Sequence, residues 1–301
     1  MNTQTGTNMK TQQKPDAKEL GMLLGLHAGD SLGATLEFSQ PSNRNKFLTE
    51  IIGGGAFHWL AGEPTDDTEL ALAVLKSIQD GYFNEAVLKK AMINWFNKKP
   101  KDIGNTTRSA IENMISQKSP SGTIGSASNG SLMRCAPLAL LKQKGDKLKK
   151  LTKQQSILTH QLPLVSECDY LLINAIQLAI SGKDKESIFK TTMTEASQFS
   201  EKINQALGKL KTTAWDDLKT DGYVISTLCS AFWGLLHSKS FEEGVTLIIN
   251  RGDDADTCGA VTGALLGAYY GVESIPKRWL EKLQAHDQII SLYSSLKPAK
   301  N

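Results

Sequence analysis

Three carboxylates crowd one short stretch of this 301-residue chain: Asp253, Asp254 and Asp256, followed at once by Thr257. They open the segment RGDDADTCGAVTGALLGAYY, Arg251 to Tyr270. Carboxylates packed this closely repel one another, and they stay ionised near neutral pH most readily with a cation among them. Ligation by oxygen alone suits a hard ion such as magnesium, calcium or manganese, rather than zinc or copper. A second stretch repeats the chemistry: Thr65, Asp66, Asp67, Thr68, Glu69. Either stretch alone reads equally well as an acidic helix cap. Together they describe two helices, far apart in sequence, that both open with hydroxyl and carboxylate oxygens. Such a pair can supply a shared two-ion site.

The elements behind these residues are apolar and rich in small side chains. Gly259, Gly263 and Gly267, with alanines between them, follow the distal acidic cluster and predict a buried, tightly packed helix. Leu20 to Leu36 predicts another, and it carries Asp30, with Glu37 just beyond. A carboxylate inside such a helix needs a partner, as a cap or a buried ion pair. Residues 39–64 read as a long loop that delivers the chain to Thr65. Helical periodicity continues over Phe83 to Asn97, Arg108 to Gln117, Ser131 to Lys142, Gln154 to Ile180 and Tyr223 to His237. It returns over Phe241 to Asn250 and Pro276 to Leu296, and the polar stretch Lys183 to Leu218 reads as a surface excursion. The small-residue loop between Ser116 and Gly130 offers free backbone N–H groups to a phosphate, or serves as a linker. His160 reads as a structural hydrogen-bonder or as a ligand contact.

Alternation of period two is scarce, and no strand–helix–strand rhythm appears. There is no dinucleotide fingerprint, no P-loop and no serine-hydrolase signature. The expected fold is all-α: a single compact multi-helix domain of about a dozen helices over residues 18–298. Residues 1–17 are polar and read as a flexible extension without the apolar core of a signal peptide. Hydrophobic residues make up 40% and charged residues 22%, the balance of a globular protein. A net charge of +3 is too small to imply nucleic acid by itself. The four cysteines form no CxxC pair and read as reduced, buried thiols of a cytoplasmic protein.

Taken in order, the blocks GDSLGATLEF (Gly29 to Phe38), TDDTE (Thr65 to Glu69), KDIGNTTR (Lys101 to Arg108), NGSLMRCAP (Asn129 to Pro137), Thr159-His160 and DADTCGA (Asp254 to Ala260) resemble the ADP-ribosylglycohydrolase family. The likeness is strongest to its bacterial, arginine-specific dinitrogenase reductase-activating branch, and it runs from about Leu20 to Leu283. It implies an all-α fold with a cleft for two divalent cations, Mg2+ or Mn2+. By position, Thr65, Asp66 and Asp67 match one ligand set, and Asp254, Asp256 and Thr257 the other. Glu37 matches the carboxylate near the ions and the scissile ribose. Asp102 and Gly104 match residues on the ribose or target side. Gly125, Ser126, Asn129 and Gly130 match the loop around the diphosphate, and His160 and Tyr223 match positions flanking the nucleotide. The chain departs at Asp253, where relatives carry a second glycine, at Ser128, where they often read glycine, and at Leu162, where near relatives have histidine.

The activity so implied is metal-dependent hydrolysis of the N-glycosidic bond between ADP-ribose and an arginine of a target protein, releasing ADP-ribose. Cleavage at the anomeric carbon passes through an oxocarbenium-like state. Two cations would fix the ribose diol and acidify a water, and Glu37, Asp67, Asp256 or Asp102 would move protons or hold the guanidine. The rival readings are a sibling hydrolase acting on serine, ester or nucleic-acid linkages, and an immunity protein that neutralises an ADP-ribosylating toxin or transferase by hydrolysis or by binding. Neither a membrane nor a nucleic-acid partner is expected.

Overall fold

The computed structural model describes residues 16–296. Most of the expected extension, residues 1–15, lies outside them, as do residues 297–301. Helix α1 (Ala17–Gly33) starts where the side chain of Asp16 accepts hydrogen bonds from the Lys18 and Glu19 amides, at 2.8 and 3.1 Å. A long irregular stretch leads to α2 (Asp66–Lys76), and a two-residue hairpin, β1 (Ile78–Gln79) with β2 (Tyr82–Phe83), leads to α3 (Glu85–Phe96) and α4 (Asn105–Ile115). Then follow α5 (Gly145–Ser156), α6 (Pro163–Ile180), α7 (Lys185–Ala196) and α8 (Glu201–Gly208). Helices α9 (Val224–His237), α10 (Phe241–Ile249), α11 (Ala255–Tyr270), α12 (Lys277–Leu280) and α13 (His286–Ser295) complete the described chain. The all-α expectation holds, since the hairpin is the only sheet among the described residues.

The molecule is built on α1 and α11, which run antiparallel with glycine against glycine. A Cβ on Gly21 would stand 2.2 Å from the carbonyl oxygen of Gly267. One on Gly25 would stand 2.4 Å from that of Gly263, one on Gly29 2.0 Å from that of Gly259, and one on Gly33 2.2 Å from that of Ala255. Spacing of four residues on both helices places every rung on one face. The two backbones therefore touch at four rungs, along a little more than three turns, with no side chain between them. Helices α6, α9 and α10 pack around α11 and bury its remaining faces. Because the pairing is antiparallel, the C-terminal end of α1 meets the N-terminal end of α11. That is where Glu37 and the distal acidic cluster emerge.

One expected helix is different. Ser131 to Lys142 is not α-helical: turns through Arg134 are followed by a 3₁₀ run, Ala136–Leu141. Pro137 lacks an N–H and its ring opposes helix on its N-terminal side. All four cysteines are free and buried, as expected, and burial pushes their thiols up, that of Cys229 to about 12. No helix among the described residues is long and apolar enough to cross a membrane.

Candidate active site

The two acidic stretches meet. Thr65 is the N-cap of α2, and its hydroxyl accepts from the Asp67 amide at 3.2 Å. Asp66 and Asp67 occupy the first turn of α2, Asp254 is the N-cap of α11, and Asp256 lies in the first turn of α11. Thr257 donates from Oγ1 to Asp67 Oδ2 at 3.2 Å, which ties the two helix starts together. Glu37, Asp102 and Asp256 each bring a carboxylate oxygen within 4.8 Å of the others. Gly104, just ahead of α4, turns its amide toward Asp66. A Cβ there would meet nothing within 4 Å, so crowding does not require glycine at this position.

The electrostatics of this cluster are lopsided. Burial and the surrounding carboxylates drive Asp66, Asp67 and Asp256 far above the usual carboxylate range. Burial, then Asp102, Asp254, Asp66 and Asp30, push Glu37 up to about 9. Asp102 and Asp254 are raised as well, chiefly by burial. Glu37 Oε2, Asp67 Oδ1 and Asp256 Oδ1 are buried and accept no hydrogen bond. Buried carboxylate oxygens without donors are costly. Divalent cations would satisfy these oxygens and reverse the pKa shifts. The donor set, carboxylates with threonine hydroxyls, fits such ions.

Asp30 finds its partner in a helix start rather than in an ion pair. Its Oδ2 accepts from the Thr65 amide at 3.1 Å, the Thr68 amide at 3.3 Å and the Thr68 hydroxyl. It thus holds the first turn of α2 in place from α1. Behind it, His27 Nε2 accepts from the Ala285 amide at 3.2 Å, which leaves the ring proton on Nδ1, facing Thr68 and Ser31. Burial lowers His27 to about 3, so the ring is neutral. Sequence reasoning flagged Asp30 but passed over His27, which looks like one polar residue in an apolar helix.

A second group of residues lies beside the acidic cluster. The segment 123–129 is stitched on both sides: Thr123 pairs with His160, Ser128 pairs with Tyr223, and Val224 N donates to Ala127 O at 2.9 Å. Gly125, at φ +80, is exposed at the tip, next to Ser126. Asn129 Nδ2 donates to Asp254 Oδ2 at 2.7 Å and to Thr227 Oγ1 at 2.9 Å, coupling this loop to the acidic cluster. Gly130 sits where a Cβ would lie 3.0 Å from Thr107 Oγ1 and 3.2 Å from the His160 ring. Tyr223 stands at the rim, about one-third exposed. Thus Gly125, Ser126, Asn129, Gly130, His160 and Tyr223 share one neighbourhood.

Two of the departures have local explanations. Asp253 has φ +55 directly after Gly252 at +70, so it takes the left-handed backbone a glycine would take. Its side chain is exposed, and its charge is one of those that raise Asp254. Ser128 adds a hydroxyl that accompanies those of Ser126 and Thr106, a triad with no signal in the chain order to group it.

A model of the ADP-ribosylglycohydrolase family matches residues 11–300. The ADP-ribosylarginine hydrolase Tri1 of Pseudomonas putida (strain GB-1) is 34% identical, over 92% of this chain and 76% of its own. The ADP-ribosyl-[dinitrogen reductase] glycohydrolase of Rhodospirillum rubrum is 30% identical, over 88% and 90% of the two chains. A solved structure titled ADP-ribosylglycohydrolase-related protein complex superposes with a TM-score of 0.82 at 30% identity, covering 93% of this chain and 96% of that one.

Proposed function

The chain belongs to the ADP-ribosylglycohydrolase family, and from that premise we propose that it hydrolyses the bond between ADP-ribose and arginine on a modified protein. What carries the arginine linkage is likeness, over nearly the whole chain, to relatives named as ADP-ribosylarginine hydrolases. In this reading Thr65, Asp66 and Asp67 with Asp254, Asp256 and Thr257 hold two divalent cations, Mg2+ or Mn2+. Such cations, when bound, supply positive charge to ribose oxygens and lower the pKa of a water. The orphaned oxygens of Asp67 and Asp256 support that assignment.

The chain's own residues do the rest. Glu37 holds a proton at Oε2 or releases it as the charge around it changes, since its carboxyl lies amid other carboxylates with no donor on that oxygen. Asp102 is half-buried beside Glu37 and offers a planar carboxylate to a planar guanidinium. Gly125, Ser126, Asn129 and Gly130 take the diphosphate side, with His160 behind them and Tyr223 at the nucleotide rim. The product is ADP-ribose and the partner is the ADP-ribosylated protein.

The test incubates the protein with arginine-linked and serine-linked ADP-ribosyl peptides, with Mg2+ or Mn2+ and with a chelator, and follows free ADP-ribose by mass spectrometry. Release from the arginine peptide, lost on chelation, is expected. Cleavage of the serine peptide alone would transfer the protein to a sibling specificity. Undiminished cleavage under chelation would overturn the metal assignment.

A further inference from the structure

Arg134 is fully buried, and nothing in the proposed chemistry uses it. Its guanidinium donates to Gln155 Oε1 at 2.7 Å, to the Gly130 carbonyl at 2.7 Å and, from Nη2, to Thr159 Oγ1 at 2.8 Å. An arginine has donors only, so at Thr159 the direction is fixed: the hydroxyl oxygen accepts. Thr159 is itself fully buried, and its hydroxyl has one other recorded neighbour, His160 Nδ1 at 2.7 Å. Buried hydroxyl protons are used. The Thr159 proton therefore goes to His160 Nδ1, and the ring must carry its own proton on Nε2. Burial, with Arg134 nearby, lowers His160 to about 3, so the imidazole is neutral and has a single N–H.

That N–H faces Ser128 Oγ at 2.8 Å. Ser128 in turn lies 3.3 Å from Thr106 Oγ1 and 3.2 Å from Ser126 Oγ, and those two are 2.9 Å apart. The three hydroxyls close a triangle. With His160 donating to Ser128, two hydroxyl protons, Ser128 to Thr106 and Thr106 to Ser126, suffice to link the three oxygens, and the third is free to point outward. The opposite tautomer would draw a proton out of it. All three residues are half-buried, and Ser126 adjoins the exposed Gly125.

We propose that Arg134, acting through Thr159, is a positioning residue that locks His160 in its Nε2–H tautomer. The Thr106–Ser126–Ser128 triangle is thereby made a hydrogen-bond donor to the diphosphate of the substrate. The ligand half of this proposal rests on the functional reading above; the tautomer half does not. Direction along the relay runs outward, from a permanent cation in the core to the loop. A phosphate oxygen, which only accepts, is the group such a surface suits.

Nitrogen-15 spectra of the protein labelled at its five histidines report the tautomer directly, with His160 assigned by its absence in His160→Gln. Nε2–H is expected in the wild type. Arg134→Met risks unfolding, so the working variant is Thr159→Val, which keeps the shape and cuts the relay, with Thr159→Ser to restore it. Thr159→Val is expected to shift the His160 ring nitrogens toward the other tautomer. It should also weaken ADP and ADP-ribose alike, by roughly tenfold in a calorimetric titration, while Mn2+ affinity stays unchanged. A merely structural lesion would lower metal affinity too and leave the ring signals in place. A wild-type Nδ1–H ring overturns the relay, and nucleotide affinity within twofold in Thr159→Val overturns its role at the diphosphate. If the wild type binds neither nucleotide, the diphosphate role falls together with the functional reading, and the ring spectrum alone then decides whether the relay exists.

Discussion

Single carboxylates dominate the behaviour of this protein, because the fold gathers more of them than it can satisfy by itself. Glu37, pushed up to about 9, shows the sign. Its folded form binds a proton more tightly than the unfolded chain does. Its contribution to the ion-free protein is therefore lost as pH climbs from about 4.5 through 9. His27 and His160, lowered to about 3, act in the opposite sense: their penalty grows as pH falls below 6.5. A measurement between pH 7 and 8.5 takes the histidines out of the balance. Under chelation the unfolding free energy from urea titration should drop across that range, by about 2 kcal/mol for Glu37 taken alone. Asp256→Asn should flatten the drop and raise the chelated midpoint at pH 8.5, because it removes one repelling charge. The same variant should lose the stabilisation that Mn2+ gives the wild type. A chelated wild type whose midpoint rises over this range would contradict the account. At this scale the sequence was informative: carboxylates clustered beside hydroxyls are visible in the letters. The uncharged partners were not. Thr106, Ser128 and Thr159 matter through the direction of their protons, which depends on neighbours brought in from elsewhere in the chain.

Among the elements, α1 and α11 decide the geometry. Small residues at intervals of four predicted close packing for each helix separately, but not that each is the other's partner. Periodicity shows which face is buried without naming what covers it. The seam also explains why the site lies at its end. Gly33 against Ala255 is the last rung, and the chain diverges from there into Glu37 on one side and Asp256 on the other. A methyl group at Gly29 has nowhere to go, because the atoms it meets at 2.0 and 2.5 Å are the backbone of Gly259. Gly29→Ala should cost about 3 kcal/mol in denaturant unfolding, the upper part of the over-packing range. It should also weaken Mn2+ binding by spreading the two ligand sets. Gly208→Ala is the matched control, since its new methyl would meet only the mobile end of Met193 at 3.7 Å. Equal losses in both variants would refute the seam as the determinant. The expectation that failed, an α-helix over Ser131 to Lys142, failed for a local reason: the apolar pattern was read through Pro137.

At the scale of the whole molecule, residues from distant parts of the described chain converge on one site. Glu37 and Thr65 to Asp67 come from the first quarter, Asp102 to Ser128 from the middle, and Asp254 to Thr257 from near the end. Helical class and the two acidic motifs were legible because each is written in local stretches of the chain. The stitching of the loop 123–129 to His160 and Tyr223 was not, because it is made by backbone pairing between distant segments. Pairing α1 with α11 also sets an order of events during synthesis. When α1 leaves the ribosome, its glycine face has no cover, and the helix that fits it will not be translated until some two hundred residues later. The N-terminal half must therefore wait as an incomplete, sticky intermediate, and a chain released early should not survive as a smaller folded protein. A fragment ending at Asn250 is expected to show no cooperative melting and to associate with chaperone, whereas the full chain melts in one transition.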